Sequence, residues 1–492
     1  MKLSIALLAA CSLCAQGKSD WVYFGADRLL HYKTDERGNR IMDFSAAGYL
    51  GGGVRFRSPP VAAKLTPAKG DNTARIQAAL DAANGAVLLA PGEYEVAGTL
   101  TIARSGVVLR GSGAGEGGTT VRLTGAPHRC LEIRGSGAWR AEGDAAAITD
   151  AYVPSGADSF RVDHASGFHA GDRVLIQRPV TEAWVHFMGM DTLVRDGKRQ
   201  TWIKTGSAIR TDRVVKAVTG DRITLDVPLT DSLDAKFGGA TVTRYAFPGR
   251  LREVGVESLR ITAPFEDIPI TGPQYSALRM DAVEDAWARD LAIQETQNGI
   301  TVGAAAKRVT FDHVSIVHSA THSGAAAPAD FAISGTQILL NRCAVTGEGT
   351  WPVVTQAQVT GPLVVLNFTA DHAGVAPHQR WATGLLVDGA QLPGTTEKKQ
   401  GLAFSNRNTM GSGHGWDIGW SVGWNVTSPF LLVQQPPGSM NWCIGCTGKA
   451  VKLGETPNGI FDSPGIAVAP ASLYPEQLRQ RLGEQALRNI GY

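Results

Sequence analysis

The chain has 492 residues, and its 47 basic and 45 acidic residues give a formal net charge of +2. A charge so close to zero gives no support for a nucleic-acid partner. The 58 glycines are well above the ordinary share of about 7%, and helical periodicity is rare. The composition therefore favours many short strands joined by turns, in a chain long enough for two or three structural units.

Residues 1–17 have the pattern of a secretory signal peptide. A basic residue precedes the apolar run Leu3–Ala10, and Ala15-Gln16-Gly17 offers a small-x-small cleavage site. The apolar run is too short to span a bilayer, and no later segment reads as a membrane span. We therefore expect a secreted or periplasmic protein. The residues before Cys11 also resemble a lipoprotein cleavage box, which leaves a lipid anchor at Cys11 open.

Residues 18–149 are predicted to begin with an extended leader and to continue with a short helix. Asp71 or Thr73 can cap this helix. Its apolar stripe consists of Ile76, Ala79, Leu80 and Ala83. Three short strands follow, near residues 86–90, 100–102 and 107–110, and turn residues separate them.

This N-terminal pattern resembles the opening of pectate-lyase-like right-handed parallel β-helix proteins. The residues that carry the resemblance are Asp71, Thr73, Ile76, Gln77, Ala78, Leu80 and Asp81, followed by Pro91-Gly92-Glu93-Tyr94. The resemblance covers most of the mature chain and implies an all-β fold, a right-handed parallel β-helix, in a secreted bacterial protein. That superfamily includes polysaccharide lyases, glycoside hydrolases, epimerases and phage tailspikes, so the resemblance does not select one reaction.

A short apolar motif recurs in the second half of the chain and predicts the main coils over residues 249–470. Its copies begin at Leu259, Leu291, Val314, Cys343 and Phe368. A repeat of about 20 to 50 residues is typical of a solenoid, in which each coil buries its inward residues on its neighbours. A β-sandwich would instead return a strand about every 8 to 12 residues.

Two segments depart from this repeat. Residues 150–248 read as antiparallel strands with polar turns and are predicted to form an inserted small β unit. Residues 471–492 read as one amphipathic C-terminal helix with Leu478, Leu482 and Ala486 on one face.

The cysteines do not indicate a metal site. Cys130, Cys343, Cys443 and Cys446 lie beyond the signal peptide. Cys443 and Cys446 form one CxxC motif without the partner pair that a zinc site needs. We expect buried thiols or one local disulfide.

Candidate functional residues concentrate in residues 313–442, which hold six of the 11 histidines and six of the 11 tryptophans. An imidazole transfers protons near neutral pH, and a guanidinium holds a carboxylate in a bidentate fork. An indole offers a flat apolar face to a sugar ring. The predicted catalytic residues are His378, Arg380, Arg407 and His414, and the predicted substrate-binding residues are Trp381, Trp416, Asp417, His322 and His372.

This inventory fits a lyase that acts on a uronic-acid polymer, an acidic polysaccharide. Such an enzyme neutralises the carboxylate, removes the C5 proton and protonates the leaving oxygen. The His378–Arg380 and Arg407–His414 groups are separated by about one coil, and stacked coils lie about 4.8 Å apart. We therefore expect both groups to face one groove. The resemblance also leaves a bound Ca²⁺ open, although no acidic cluster requires it.

Two other functions remain open. A glycoside hydrolase or glycosyl transferase would need two carboxyl groups. The available carboxyl groups are Asp371, Asp388, Asp417 and Glu348. A non-catalytic glycan-binding β-helix would use the tryptophans without needing histidine and arginine beside them.

Overall fold

The computed structural model describes residues 17–319, 328–395, 397 and 400–492. Residues 1–16 of the predicted signal peptide, with Cys11, and the candidate residue His322 lie outside these ranges. Among the described residues, no helix is long and apolar enough to cross a membrane.

Parallel strands wind into a solenoid whose coils each contribute to three sheets, and this pairing confirms the predicted parallel β-helix. The first sheet contains Leu100–Ile102, Arg129–Arg134, Ser276–Asp281, Ile300–Val302, Ala329–Ile333, Trp351–Thr355, Leu402–Phe404, Thr427–Val433 and Thr447–Ala450. Val375 bridges the strands at Val353 and Leu402 within it.

The second sheet runs along the whole solenoid, and its longest strands bend into the third sheet. The second sheet contains Val61–Leu65, Ala86–Leu89, Val108–Arg110, Leu251–Thr262, Val283–Gln294, Lys307–Val317, Thr336–Asn341, Thr360–Leu366, Ala382–Asp388, Ile418–Gly419, Ser421–Trp424, Asn441–Ile444 and Ile460–Asp462. The third sheet adds Gly92–Val96, Thr119–Leu123, Ala344–Thr346 and Thr369–Ala370 to the ends of the long strands.

The corner between the second and third sheets explains the sequence repeat. Residues at this corner have φ between 49° and 67° on successive coils, and they are Ser258, Asp290, His313, Arg342, Asn367, Gly389, Asn425, Gly445 and Ser463. The apolar motif starts one residue after five of these corners. Leu259, Leu291 and Val314 pair directly across coils and are buried in the main core. The repeat therefore marks the residue that turns inward after each left-handed corner.

The outer face of the second sheet is also buried, so its later strands are apolar on both faces. The strand Thr360–Leu366 is buried throughout. The leader, the inserted unit and the C-terminal helices form a second core cluster with this face.

Helix α1 (Thr73–Ala82) packs Ile76 and Leu80 into the main core near the N-terminal end of the solenoid. The side chain of Gln77 continues the sheet, since its Nε2 donates to the Thr101 carbonyl and its Oε1 accepts from the Thr101 amide. Asp71 Oδ1 accepts from the Thr73 amide at the start of α1. The opening pattern thus seals the edge of the first sheet.

An antiparallel sheet occupies residues 140–246, so it begins ahead of residue 150. In spatial order it contains Arg140–Ala147, Thr241–Ala246, Arg173–Pro179, Ala208–Thr219, Arg222–Leu225 and Ser159–Arg161. One antiparallel strand pair, Tyr152–Val153 with Leu233–Asp234, and one small hairpin, Val194–Arg195 with Lys198–Arg199, also belong to the unit. Helix α2 (Glu182–Phe187) and the 3-10 turn Ala235–Phe237 complete it.

The C-terminal segment is not one helix as the sequence predicts. It forms α3 (Leu473–Leu482) and α4 (Glu484–Asn489), because Gly483 adopts φ 79° between them. Leu478 is buried, whereas Leu482 is 46% exposed.

The leader packs against this C-terminal segment. The leader contains the strand Gly17–Lys18, which pairs with Val468–Ala469, then the hairpin of Val22–Phe24 and Leu30–Tyr32, and then the 3-10 turn Tyr49–Gly51.

Candidate functional site

The site lies where three successive coils pass from the first sheet to the second. Val353 pairs with Val375, and Val375 pairs with Leu402. The residue three positions after each of these is Gln356, His378 or Ser405, so these three side chains occupy equivalent places on stacked coils. Coiling thus brings the groups around His378 and Arg407 to one edge of the solenoid.

Two imidazoles meet at this edge. The ring centroids of His378 and His414 are 4.5 Å apart, and the ring planes are nearly perpendicular at 85°. His414 comes from the loop 405–417, whose main chain is tied to the preceding coil, since the Arg380 amide donates to the His414 carbonyl over 2.9 Å. A Cβ atom on Gly411, which has φ 57°, would lie 2.0 Å from His414 Nε2, so the loop needs glycine there.

The side chain of Gln356 fixes the tautomer of His378. Gln356 Oε1 lies 3.3 Å from His378 Nδ1 and 3.3 Å from Gln379 Nε2. A carbonyl oxygen only accepts, so Nδ1 carries the proton and Nε2 holds the lone pair. Among the described residues Nε2 has no hydrogen-bond partner, and it is not enclosed. His378 therefore presents a proton acceptor to solvent.

Both imidazoles are neutral near pH 7. Burial, followed by the charges of Arg407 and Arg380, lowers the pKa of His378 to about 4. Burial, together with His378 and the same two guanidinium groups, lowers the pKa of His414 to about 3. An anion bound beside the guanidinium groups would offset their charge and raise both pKa values.

The two arginines have different surroundings. Arg380 Nε donates to the Trp202 carbonyl over 2.7 Å, and its Nη groups donate to Gln379 and to the carbonyl and hydroxyl of Ser412. Within the described chain, Arg407 makes a single side-chain hydrogen bond, from Nη1 to the His378 carbonyl over 3.0 Å. Arg380 is thus committed to holding loops, while most of the Arg407 donors remain available.

Arg407 opens on a pocket of about 330 Å³. The guanidinium carbon of Arg407 lies 5.6 Å from the ring centroid of Trp351, which is half-buried. Asp417 and Glu455 also line the pocket, as do Asn406, Asn408, Thr409 and Thr456. The two imidazoles are not in this lining, but His378 follows the pocket residue Pro377 directly. The lining combines an indole, a cation, two carboxyl groups and hydrogen-bonding side chains, which is a suitable surface for a sugar.

Asp417 is buried, and its carboxyl accepts from the amide and hydroxyl of Ser405, both over 2.9 Å. Burial raises the pKa of Asp417 well above its usual value, against the lowering effects of Ser405 and Arg407.

The predicted sugar-stacking role of Trp381 and Trp416 is wrong. They are only 2% and 3% exposed, and both belong to the second core cluster. Trp381 Nε1 donates to Asp231, and Trp416 Nε1 donates to the Met188 carbonyl. Their indoles hold the inserted unit against the solenoid.

The partly exposed indole that lines the pocket is Trp351, one of the six tryptophans of residues 313–442 and not one of the predicted substrate-binding residues. Gln356 and Ser405 were also missed. Their places three residues beyond Val353 and Leu402 are visible only once the coil register is known.

His372 lies at a different corner. It sits between the third and first sheets, with Nδ1 2.8 Å from Asp371 and Nε2 3.3 Å from Glu348. Asp388, a candidate for the hydrolase alternative, accepts from Ser472 and Tyr474 at the start of α3 and is buried there. Neither residue lines the pocket beside Arg407.

Among the described residues, no group of three or more His, Cys, Asp and Glu side chains is arranged to hold a metal ion. Cys130, Cys343, Cys443 and Cys446 are buried thiols.

No family model matches the chain, and no curated protein is significantly similar to it. Among solved structures, it is similar to the tailspike gp61 of Pseudomonas phage phi297, with 12% identity, 77% of this chain and 67% of that chain covered, and a TM-score of 0.36. It is also similar to the surface adhesin PfbA of Streptococcus pneumoniae, with 9% identity, 83% of this chain and 78% of that chain covered, and a TM-score of 0.38. The A-module of the Azotobacter vinelandii mannuronan C-5 epimerase AlgE4 is similar with 12% identity, 82% of this chain and 74% of that chain covered, and a TM-score of 0.23. At these values the likenesses say nothing about function, and the parallel β-helix rests on the strand pairing itself.

Proposed function

We propose that the protein is a secreted polysaccharide lyase that cleaves a uronic-acid-containing glycan by β-elimination. One observation carries the proposal: a neutral imidazole with an open Nε2 lies beside an arginine whose donors face a sugar-sized pocket. A β-elimination of this kind needs a base to take the C5 proton and a cation to bind the uronate carboxylate, and the imidazole and the arginine are suited to these two tasks.

Arg407 is proposed to bind the uronate carboxylate, because its remaining N–H groups can form a bidentate pair with two carboxylate oxygens. Neutralising that carboxylate makes the C5 proton more acidic. His378 Nε2 takes the proton, the C5–H electron pair forms the C4–C5 double bond, and the C4–O bond breaks. The proton on His378 then passes to the leaving oxygen, so the elimination balances without a further reactant.

The remaining predicted residues support this pair. His414 contacts His378 and is proposed as a second group for proton transfer. Arg380 is proposed as a positioning residue, since its hydrogen bonds join the preceding coil, the inserted unit and the loop that carries His414. Trp351 is proposed to stack against the sugar ring.

The electrostatics favour an acidic substrate. With no anion bound, burial and the two guanidinium groups weaken His378 as a base. A substrate carboxylate beside Arg407 offsets that charge and raises the His378 pKa, so the base is strengthened by the substrate it acts on. A neutral glycan lacks this effect.

The test is a panel of acidic glycans assayed at once for ultraviolet absorbance and for new reducing ends. We expect both signals to rise together, because β-elimination makes an unsaturated uronate at each new non-reducing end. Activity that survives both H378A and R407M would refute the residue assignment, and the absence of both products across the whole panel would favour a binding protein.

A glycoside hydrolase is the second candidate, because Asp417 and Glu455 line the same pocket. The raised pKa of Asp417 suits a general acid, and Glu455 is exposed and suits a general base. This reaction would give reducing ends without ultraviolet absorbance, and D417N would abolish it.

A further inference from the structure

A second pocket, here called the corner pocket, has a volume of about 470 Å³ and lies at the left-handed corner of the solenoid. Its floor includes the corner residues His313 and Arg342, and its walls come from leader residues 49–56 and from residues 488–491. The site at His378 lies where strands enter the second sheet, whereas the corner pocket lies where earlier coils leave it. The two are separate places on the molecule.

The corner pocket is lined by more basic than acidic side chains. Four arginines line it, and Asp312 is the carboxylate among its lining residues. Asp312 already accepts from Asn341 Nδ2 over 2.9 Å and lies 3.1 Å from His313 Nδ1. One carboxylate therefore stands against four guanidinium groups among the residues that line the pocket.

Two of the four arginines retain donors for a ligand. Arg289 gives its Nε to Glu257 over 2.7 Å, and no partner within the described chain takes its Nη groups. Arg55 is exposed, and among the described residues it makes no side-chain hydrogen bond or ion pair. By contrast, Arg342 donates to the carbonyls of Ile490 and Gly491, and Arg488 donates to Gln485.

An aromatic wall stands beside these donors. Phe56 is half-buried and stacks on the buried Trp287, with ring centroids 5.9 Å apart and an interplanar angle of 26°. The guanidinium carbon of Arg289 lies 5.6 Å from the Phe56 ring centroid. A cation and an apolar ring face thus meet in a pocket whose volume falls in the range of about 300 to 1,000 Å³ that small ligands occupy.

We propose that the corner pocket binds an anionic saccharide unit, with Arg55 and Arg289 holding its carboxylate or sulfate group and Phe56 packing against its ring. Paired donors select a planar or tetrahedral anion, and the phenyl ring selects a ligand with an apolar face. Such a pocket would give the protein a second contact with an acidic glycan, apart from the pocket beside Arg407. This binding proposal does not depend on the lyase reaction.

The proposal is tested by calorimetric titration of the full mature chain with trigalacturonate, in an R407M background that weakens the pocket beside Trp351. The variants R55E and R488E change exposed side chains, so folding is preserved and is checked by thermal unfolding. The matched control is R161E, which reverses a 57% exposed arginine on the inserted unit.

We expect R55E to weaken trigalacturonate binding at least about tenfold, which is about 1.4 kcal/mol, R488E to weaken it less, and R161E to leave it unchanged. A neutral trisaccharide is expected not to bind. Equal binding by R55E and R161E would overturn the proposal, and so would equal binding of the neutral trisaccharide. Inorganic phosphate binding as tightly as trigalacturonate would overturn the saccharide assignment. Loss of lyase activity in R407M has no bearing on any of these outcomes.

Discussion

Two regions of the molecule bury positive charge, and they treat it in opposite ways. The first is the anchor between the inserted unit and the solenoid, formed by Asp212, Lys307, Arg250 and Tyr245. The Asp212 carboxylate accepts hydrogen bonds from Lys307 Nζ over 2.7 Å, from Arg250 over 3.0 Å and from the Tyr245 hydroxyl over 2.7 Å. Burial acts to raise the pKa of Asp212, but Lys307 and Arg250 outweigh it and lower that pKa below the usual range.

The second region is the edge that holds His378, Arg380, Arg407 and His414. Within the described chain, none of these four side chains has a carboxylate oxygen within 4.0 Å of its nitrogens. Burial therefore lowers the pKa of each group. The anchor is a closed ion network, whereas the edge keeps guanidinium charge that is not ion-paired within the described chain and is available to a bound anion.

The comparison is tested most strongly at the proposed base. We expect H378A to lower kcat on an acidic glycan by about 10³-fold, because a positioned base contributes about 10² to 10⁴-fold. The measurement is the initial rate of ultraviolet absorbance, with folding followed by thermal unfolding.

The matched control for H378A is H169A, which removes an exposed histidine of the inserted unit and is expected to keep full activity. A kcat for H378A within about threefold of the parent protein would show that the imidazole at this edge is structural, as the anchor residues are.

The anchor is expected to respond in stability instead of activity. K307M leaves Asp212 with one fewer cation in a buried site, and we expect the free energy of unfolding to fall by about 3 kcal/mol. R407M removes a desolvated cation without a carboxylate partner, so the free energy of unfolding is expected to stay within about 0.5 kcal/mol or to rise.

Denaturant titration of the two variants measures this contrast. A larger loss of stability in R407M than in K307M would contradict the distinction between a closed and an open charge cluster.

The fold was predictable because its signals are local. The opening pattern from Asp71 to Tyr94 seals the first sheet through the Gln77 side chain, and the apolar motif at Leu259 and Leu291 reports the residue after each corner. Both signals use short stretches of sequence. The break in the C-terminal helix at Gly483 was missed because one glycine within an amphipathic pattern is a weak signal.

The site was only partly predictable. Sequence separation of about one coil correctly brought His378 and His414 together. It could not show that Trp381, three residues from His378, is buried under the inserted unit, because that contact joins segments 150 or more residues apart. Trp351 and Gln356 were missed because the register of stacked coils decides which side chains share an edge, and the sequence alone does not give that register.

A smaller effect is expected at the pocket wall. W351A removes the indole beside Arg407, and we expect KM for the acidic glycan to rise about two- to tenfold, since a ring-stacking contact contributes about 0.5 to 1.5 kcal/mol. We expect kcat to change little, because the base and the carboxylate-binding group remain. Steady-state kinetics separate the two constants. A large fall in kcat with unchanged KM would place the indole near the reacting atoms instead of along the bound chain.

The smallest effect is a shift in pH dependence, and it tests the open charge directly. A base works only when deprotonated, and the pKa of His378 is about 4 without substrate. The profile of kcat/KM, which reports the free enzyme, is therefore expected to be flat above about pH 5 and to fall by half near pH 4. The profile of kcat reports the complex, in which a carboxylate beside Arg407 raises the His378 pKa, so the acid limb of kcat should lie at higher pH than that of kcat/KM.

Replacing Arg407 with methionine removes one of the charges that lower the His378 pKa, so the acid limb of the residual kcat/KM should also move to higher pH. Coincident limbs for kcat and kcat/KM, unchanged in R407M, would mean that the guanidinium does not act on the base.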